Sequence, residues 1–327
     1  ASEMKVPSGY LYAFLAGRHG RASIRKQTYG GSVKHIEPEH LFDLGIPRIN
    51  DTLEQKAHRL IEAFSKGVAH YVAEMRAATA EVLEHAGISS PDFFQWSVDG
   101  RRLGWSERRL SSESLRAMNY DPRASDVRRQ VSKGKHSSLG SLCEPSLFKG
   151  KIIFTRVDAE PEFAALLVGQ RKAFRPRPDG RWISKKSIRG LGLQVPAGTT
   201  LIPSHGTLGE NELYCRALMV TPRSAGYAYS GDFFRCVPLT EAIPPGYLFA
   251  FLRSEAAFRL LRSISTGGKQ QEQHPTMMWN LPIPRLSSEQ EAAIDARVRA
   301  ATKVFDAALD SEMSAIDIVD EAIEEAS

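Results

Sequence analysis

The sequence predicts an α+β fold: a β-rich domain plus two long antiparallel helices, with a pseudo-twofold internal repeat. Three observations carry this. The phrase "PSGYLYAFL" at 7–15 returns as "PPGYLFAFL" at 244–252, an offset of 237 residues. At that offset, without a gap, Val6–Ile49 and Ile243–Leu286 share fifteen identities in forty-four positions, where unrelated sequence would share about two or three. Each copy runs into a stretch with helical apolar spacing, and between 87 and 242 the texture changes to short apolar runs broken by Gly and Pro.

In chain order, the first copy opens on a helix in which Tyr10 and Phe14 stand at i, i+4, as do Tyr247 and Phe251 in the second copy. These aromatics are expected in the core. A Gly-Gly loop follows at 30–31 and 267–268, then a Pro-containing exit, "LGIPRI" or "LPIPRL". The first long helix, capped by Asp51 or Thr52, carries a stripe of Leu53, Ala57, Leu60/Ile61, Phe64, Val68, Val72, Met75 and Val82, and stops at "HAGISSP". The β-rich part offers "SSLGSLC", "KIIFTRV", "AALLVG", "RWISKKS", "LQVPAGTTLIPS", "LYCRALMV" and "DFFRCVP" as short strands of a curled sheet or partial barrel. The second long helix begins with Ser288 and Glu291 as a capping-box pair and buries Ile294, Val298, Ala301, Phe305, Ala308/Leu309, Ile316, Val319 and Ile323. The resulting segments are 1–50, 51–86, 87–286 with the second copy at 243–286, and 287–327.

Composition narrows the function. The length of 327 residues suggests about two domains. No apolar run approaches the roughly 20 residues of a membrane span, and the opening lacks a signal-peptide layout. A cytoplasmic protein without membrane contact is expected. Cys143, Cys215 and Cys236 are far apart and odd in number, which suggests reduced, buried thiols rather than disulfides or a metal site. The net charge is +5, but 87–242 alone holds 24 Lys/Arg against 15 Asp/Glu, a net of +9. That segment is suited to phosphates.

The cluster "GQRKAFRPRPDGRWISKK" sets Arg171, Lys172, Arg175, Arg177, Arg181, Lys185 and Lys186 around Phe174 and Trp182, a density suited to phosphate neutralisation or to a solubilising surface. "GRRLGW", "ERRL" and "VRRQVSKGK" continue the basic theme upstream. In "SHGTLGE", Ser204, His205 and Thr207 occupy a tight turn that could approach nucleic acid, or that folding alone requires. In "TGGKQQEQH", Lys269 can meet a phosphate, and Gln270, Gln271 and Gln273 can read base edges, adenine especially; a solvated polar loop is the alternative. His35 and His40 lie near Glu37 and Glu39, but the second copy has Glu272 and Met277 there, so no metal site is expected. There is no GxxxxGK[ST], GxGxxG or [DN]PP[YFW] motif and no acidic nuclease cluster, so no catalysis is expected from the chain alone.

The order of basic β-rich domain, GYLxAFL helix, GG loop, LPIPRL and long helix resembles the specificity subunits of type I restriction–modification systems. Matching stretches are "HSSLGSLCEPSLFKG", "WISKKS", "VPAGTTLIPSHGTLGE", "SGDFFRCVP" and both repeat copies. The resemblance implies a non-catalytic subunit that binds double-stranded DNA at a bipartite target. Its segment 87–286 would be the second target-recognition domain, 1–50 the C-terminal remnant of the first, and the long helices spacers. Because the first copy starts near Val6 and the chain does not start with Met, a truncated or processed product, or a half subunit working with a second copy, is expected. Methyltransferase subunits would dock on the helices, with Phe64, Val68, Val298 and Phe305 as candidates, and a restriction/translocase subunit could join. The chain itself would hold no cofactor; S-adenosylmethionine, and ATP with Mg for translocation, would come with the partners. Two alternatives stay open: a specificity module of another phage-defence or DNA-modification system, and a coiled-helix scaffold that reads no DNA.

Overall fold

The computed structural model describes residues 5–31, 33–42, 44–89, 114–145 and 153–326. The basic stretches "GRRLGW" and "ERRL", and the end of "HSSLGSLCEPSLFKG" with the start of "KIIFTRV", lie outside the described residues. Helices are α1 (Ser8–Ala16), α2 (Arg18–Lys26), α3 (Glu39–Phe42), α4 (Asp51–His85), α5 (Pro122–Lys133), α6 (Gln170–Ala173), α7 (Lys185–Ile188), α8 (Pro245–Leu252), α9 (Glu255–Ser263), α10 (Pro275–Trp279) and α11 (Ser288–Glu325). The chain divides into two compact units, residues 1–72 with 304–327, and 73–303. Among the described residues no helix is long and apolar enough to cross a membrane.

In the first unit, Tyr10, Phe14, Ala57, Ile61, Ile316 and Val319 form one apolar core. The ring of Tyr71 stacks on Phe305 at 4.5 Å. A Cβ added at Gly67 would lie 2.6 Å from that of Ala308. Rising numbers in α4 thus meet falling numbers in α11, the antiparallel arrangement expected. Of the two stripe phenylalanines, Phe64 packs on Tyr12, ring centroids 6.3 Å apart, and Tyr71, absent from the expected stripe, takes the place opposite Phe305. Val72 also leaves the expected stripe and is exposed, because Gly67, Tyr71 and Met75 carry the inward face. Gly67→Ala is expected to lower stability by about 1 kcal/mol or more, since overpacking outweighs the helix-propensity gain. Adding Ala308→Gly should restore part of the loss; a Gly67→Ala protein that melts at or above the parent temperature would contradict the close approach.

In the second unit the strands are β1 (His136–Ser138), β2 (Ala164–Val168), β3 (Arg181–Ser184), β4 (Thr200–Pro203), β5 (His205–Gly206), β6 (Leu218–Met219), β7 (Ala228–Tyr229), β8 (Phe233–Cys236), β9 (Ser265–Gly267), β10 (Gln271–Gln273) and β11 (Pro282–Pro284). Among the described residues they form four small sheets, ordered β1-β11, β5-β10-β9, β3-β2-β7 and β6-β4-β8, rather than one curled sheet or partial barrel. Pairing is antiparallel except for β2 with β7. Short elements explain the difference. "SSLGSLC" is only partly strand, because it turns into a 3-10 segment at Leu139–Leu142 whose Gly140 abuts the Trp279 ring. Of "LYCRALMV" only Leu218–Met219 is strand, and Cys215 within it adopts a positive φ of 69°.

The same bonds recur at positions 237 residues apart. The hydroxyl of Tyr10 donates to the carbonyl of Pro47, and that of Tyr247 to the carbonyl of Pro284. The amide of Gly9 donates to His58 Nδ1, and that of Gly246 to Asp295 Oδ1. Tyr29 pairs with His35 as Thr266 pairs with Glu272. Gly30 and Gly267 share a positive φ of 97° and 92°, which the turn needs and glycine supplies without strain. The helix caps lie one or two residues earlier than the sequence reading placed them. Asn50 accepts from the amide of Leu53, and Ser287 exchanges bonds with Gln290, so the caps are Asn50 and Ser287 rather than Asp51 or Thr52 and Ser288. Glu291 is drawn inward instead, where it receives Arg285 and the amide of Leu286, as Glu54 receives Arg48 and Ile49.

Candidate nucleic-acid interface

The basic cluster is less charged than its composition suggests. Lys172 and Arg175 both pair with Asp179, at 3.0 and 3.2 Å. Arg181 holds Asp158 through two bonds, one of 2.7 Å, and this keeps the Asp158 carboxyl below its usual range. Lys185 donates to the carbonyl of Glu162. Arg177 is half-buried with interactions of its own. Arg171 and Lys186 are exposed and have no ion-pair partner among the described residues. Arg189, absent from the sequence expectation, joins Lys185 and Lys186 around a groove of about 500 Å3. Its loop turns through positive φ at Gly190 and Gly192, 73° and 65°.

A second groove, of about 430 Å3, is lined by Gln170, Arg171, His205, Gly206 and residues 211–214. Residues expected from "SHGTLGE" come here in part. His205 sits between Ser204 Oγ at 2.9 Å and Glu272 at 3.2 Å, while Ser204 itself is buried at 1% exposure and acts as a support. Thr207 is exposed. Gly206 is required because a Cβ there would lie 2.7 Å from Tyr214 Cβ.

The glutamines separate by strand alternation. Gln271 and Gln273 point inward at 4% and 2% exposure. Gln273 donates to the carbonyl of Pro203 and to Cys215 Sγ, and Gln271 to the carbonyl of Gly268. Neither can meet a base edge, which corrects the expectation that they read. Gln270 and Lys269 remain exposed at the turn. Val298 is likewise buried and unavailable to a partner, because its Cβ lies against Gly246. His35 and His40 pack on the Tyr29 ring, and no metal-binding group of three or more His, Cys, Asp or Glu occurs among the described residues.

Three arginines absent from the sequence expectation hold the loop between β5 and β6. Arg259 forks onto the Glu210 carboxylate at 2.8 and 2.7 Å. Arg262 donates to the carbonyls of Leu208 and Gly209, and Arg216 to that of Glu210. All three stack about the Phe258 ring, Arg216 at 3.5 Å from its centroid. In the same loop, burial pushes the Cys215 thiol up to about 12 from 9.0, as it pushes the Tyr10 hydroxyl in the first unit up to about 12 from 10.0. Both groups are protonated more firmly when folded, so their stabilisation is complete below about pH 9 and is lost as pH rises towards 12. Urea midpoints should therefore fall across that window; a flat profile from pH 9 to 12 would contradict the burial.

No family model matches the chain, and no curated protein matches it. A crystal structure of the S subunit of a type I restriction–modification system from M. genitalium matches over 96% of this chain and 71% of that one, with 13% identity and a TM-score of 0.33.

Proposed function

We propose that the chain is a non-catalytic, sequence-specific DNA-binding subunit of the type I restriction–modification kind, with the β-rich second unit as its reading head. The observation that most supports this is the distribution of unneutralised charge. Within a segment of net +9, Lys172 and Arg175 share Asp179 and Arg181 holds Asp158, whereas Arg171, Lys186 and Arg189 stay exposed beside polar grooves, without an ion-pair partner among the described residues. Lys269 stands on the neighbouring turn. Cations of this kind can displace counterions from DNA phosphates, and the loops between them can face base edges.

The repeated bonds 237 residues apart support a duplicated joint, and hence two heads on a bipartite target. In the second unit Met278 is fully buried and Trp279 packs on the turn at Leu139–Leu142, while β1 pairs with β11. Their counterparts in the first unit, Leu41 and Phe42, are 44% and 80% exposed. A second β-rich domain of the same construction fits that face. Methyltransferase subunits would meet the helices near Phe64, Val68 and Phe305, joined by the exposed Val72 and Val304, and would supply S-adenosylmethionine. A restriction/translocase partner would bring ATP and Mg. Those exposed valines also favour the scaffold as a second reading.

Selection from random duplexes by the full chain is the test. An enriched motif is expected. Neither enrichment nor duplex binding would leave the scaffold, and a motif with no methyltransferase neighbour in the genome would move the chain to another defence system.

A further inference from the structure

Resting on the reading of the second unit as a DNA-reading head, we infer that Asn211 is a base-reading residue of the groove beside Arg171, with adenine as its preferred base. The loop at 207–213 is fixed from behind. Its carbonyls at Leu208, Gly209 and Glu210 and the Glu210 carboxylate are taken by Arg262, Arg216 and Arg259. Arg259 and Arg216 are themselves held by Glu255. A loop ordered in this way loses little freedom on binding.

Among the amide, ring and hydroxyl side chains of the groove, one is left exposed with both a donor and an acceptor uncommitted. Gln170 commits its amide nitrogen to the carbonyl of Asp232. Both ring nitrogens of His205 are engaged, by Ser204 and Glu272. Glu212 can only accept, which suits a cytosine amino group and not adenine, and the Tyr214 hydroxyl is buried against Ser265 Oγ. Asn211 is exposed, lines the groove, and has no hydrogen-bond partner among the described residues. Its amide offers a donor and an acceptor side by side, the pair that matches adenine N7 and N6 in the major groove. Arg171, on the same groove, is placed to meet a phosphate and so to fix the register of that contact.

The experiment uses the full chain and the duplex motif selected from random sequence, with a panel in which each base pair is changed singly. The parent should lose about tenfold or more in affinity at one A·T position, equivalent to about 1.4 kcal/mol. Asn211→Ala should abolish that penalty while leaving the others and the melting temperature unchanged, since the exposed side chain makes no hydrogen bond among the described residues. A variant that keeps every penalty overturns the assignment while leaving DNA reading intact. A parent that discriminates among no duplexes overturns the reading of the second unit, and the assignment with it.

Discussion

Replacing Arg235 by Met is expected to lower stability by about 3–5 kcal/mol, among the largest effects of any single change in the second unit. The side chain has no exposure to solvent. Its guanidinium donates to the carbonyls of Phe233, Tyr229 and Ser230 at 2.9, 2.7 and 2.9 Å. Burial pushes its pKa down to about 10, which still leaves it charged at neutral pH. Met fills much of the same volume but leaves three buried acceptors unpaired. Lysine cannot replace the fork, because one ammonium on a straight stem does not reach three carbonyls set around a turn. The effect extends to the groove. The turn that Arg235 closes carries Asp232, whose carbonyl accepts from the amide of Ser204 and from Gln170. On the proposed DNA-reading role, selectivity should therefore fall before global unfolding does. Urea unfolding followed by tryptophan fluorescence checks the first part, and a loss under about 1 kcal/mol would show that the carbonyls find other donors.

Glu54→Ala and Glu291→Ala are expected to cost about 2–4 kcal/mol each, and similar amounts in both copies. Glu54 is 1% and Glu291 2% exposed. Each carboxylate ties an arginine and a backbone amide to the first turn of a long helix, Arg48 and Ile49 in one case, Arg285 and Leu286 in the other. Removing it orphans the amide and frees the incoming chain from the helix. The arginines reach solvent in part, which keeps the cost below that of a fully buried pair. Calorimetry of the two variants is the measurement. A large loss in one and none in the other would mean that the two copies share sequence but not construction.

Much of the architecture was legible because local pattern and burial agree. The phrase "GYLxAFL" buries Tyr10, Phe14, Tyr247 and Phe251, and the three- and four-residue steps mark both long helices. The facing pair was not legible, because which residues oppose one another depends on the axial offset of the helices. Gly67 against Ala308 sets that offset. In the candidate site the density of cations was plain, but their pairing was not: Arg181 meets Asp158 across 23 positions, and Arg259 meets Glu210 across 49. The burial of two glutamines had a signal in the sequence. "QEQ" at 271–273 in a strand places Gln271 and Gln273 together on the face opposite Glu272, and the charged Glu272 takes the solvent side, which turns both glutamines inward.

The salt dependence of duplex binding by two groups of variants tests the central claim most directly. One group replaces Arg171, Lys186, Arg189 and Lys269 by Ala; the other replaces Lys172 and Arg181, each of which is ion-paired with an aspartate of its own, Asp179 or Asp158. If the second unit binds DNA through its unneutralised cations, the first group should flatten the slope of log K against log salt by roughly 0.9 for each phosphate that no longer meets a cation. The second should leave the slope nearly unchanged. Equal slopes in the parent and the first group would contradict the account, as would a parent whose duplex binding does not respond to salt.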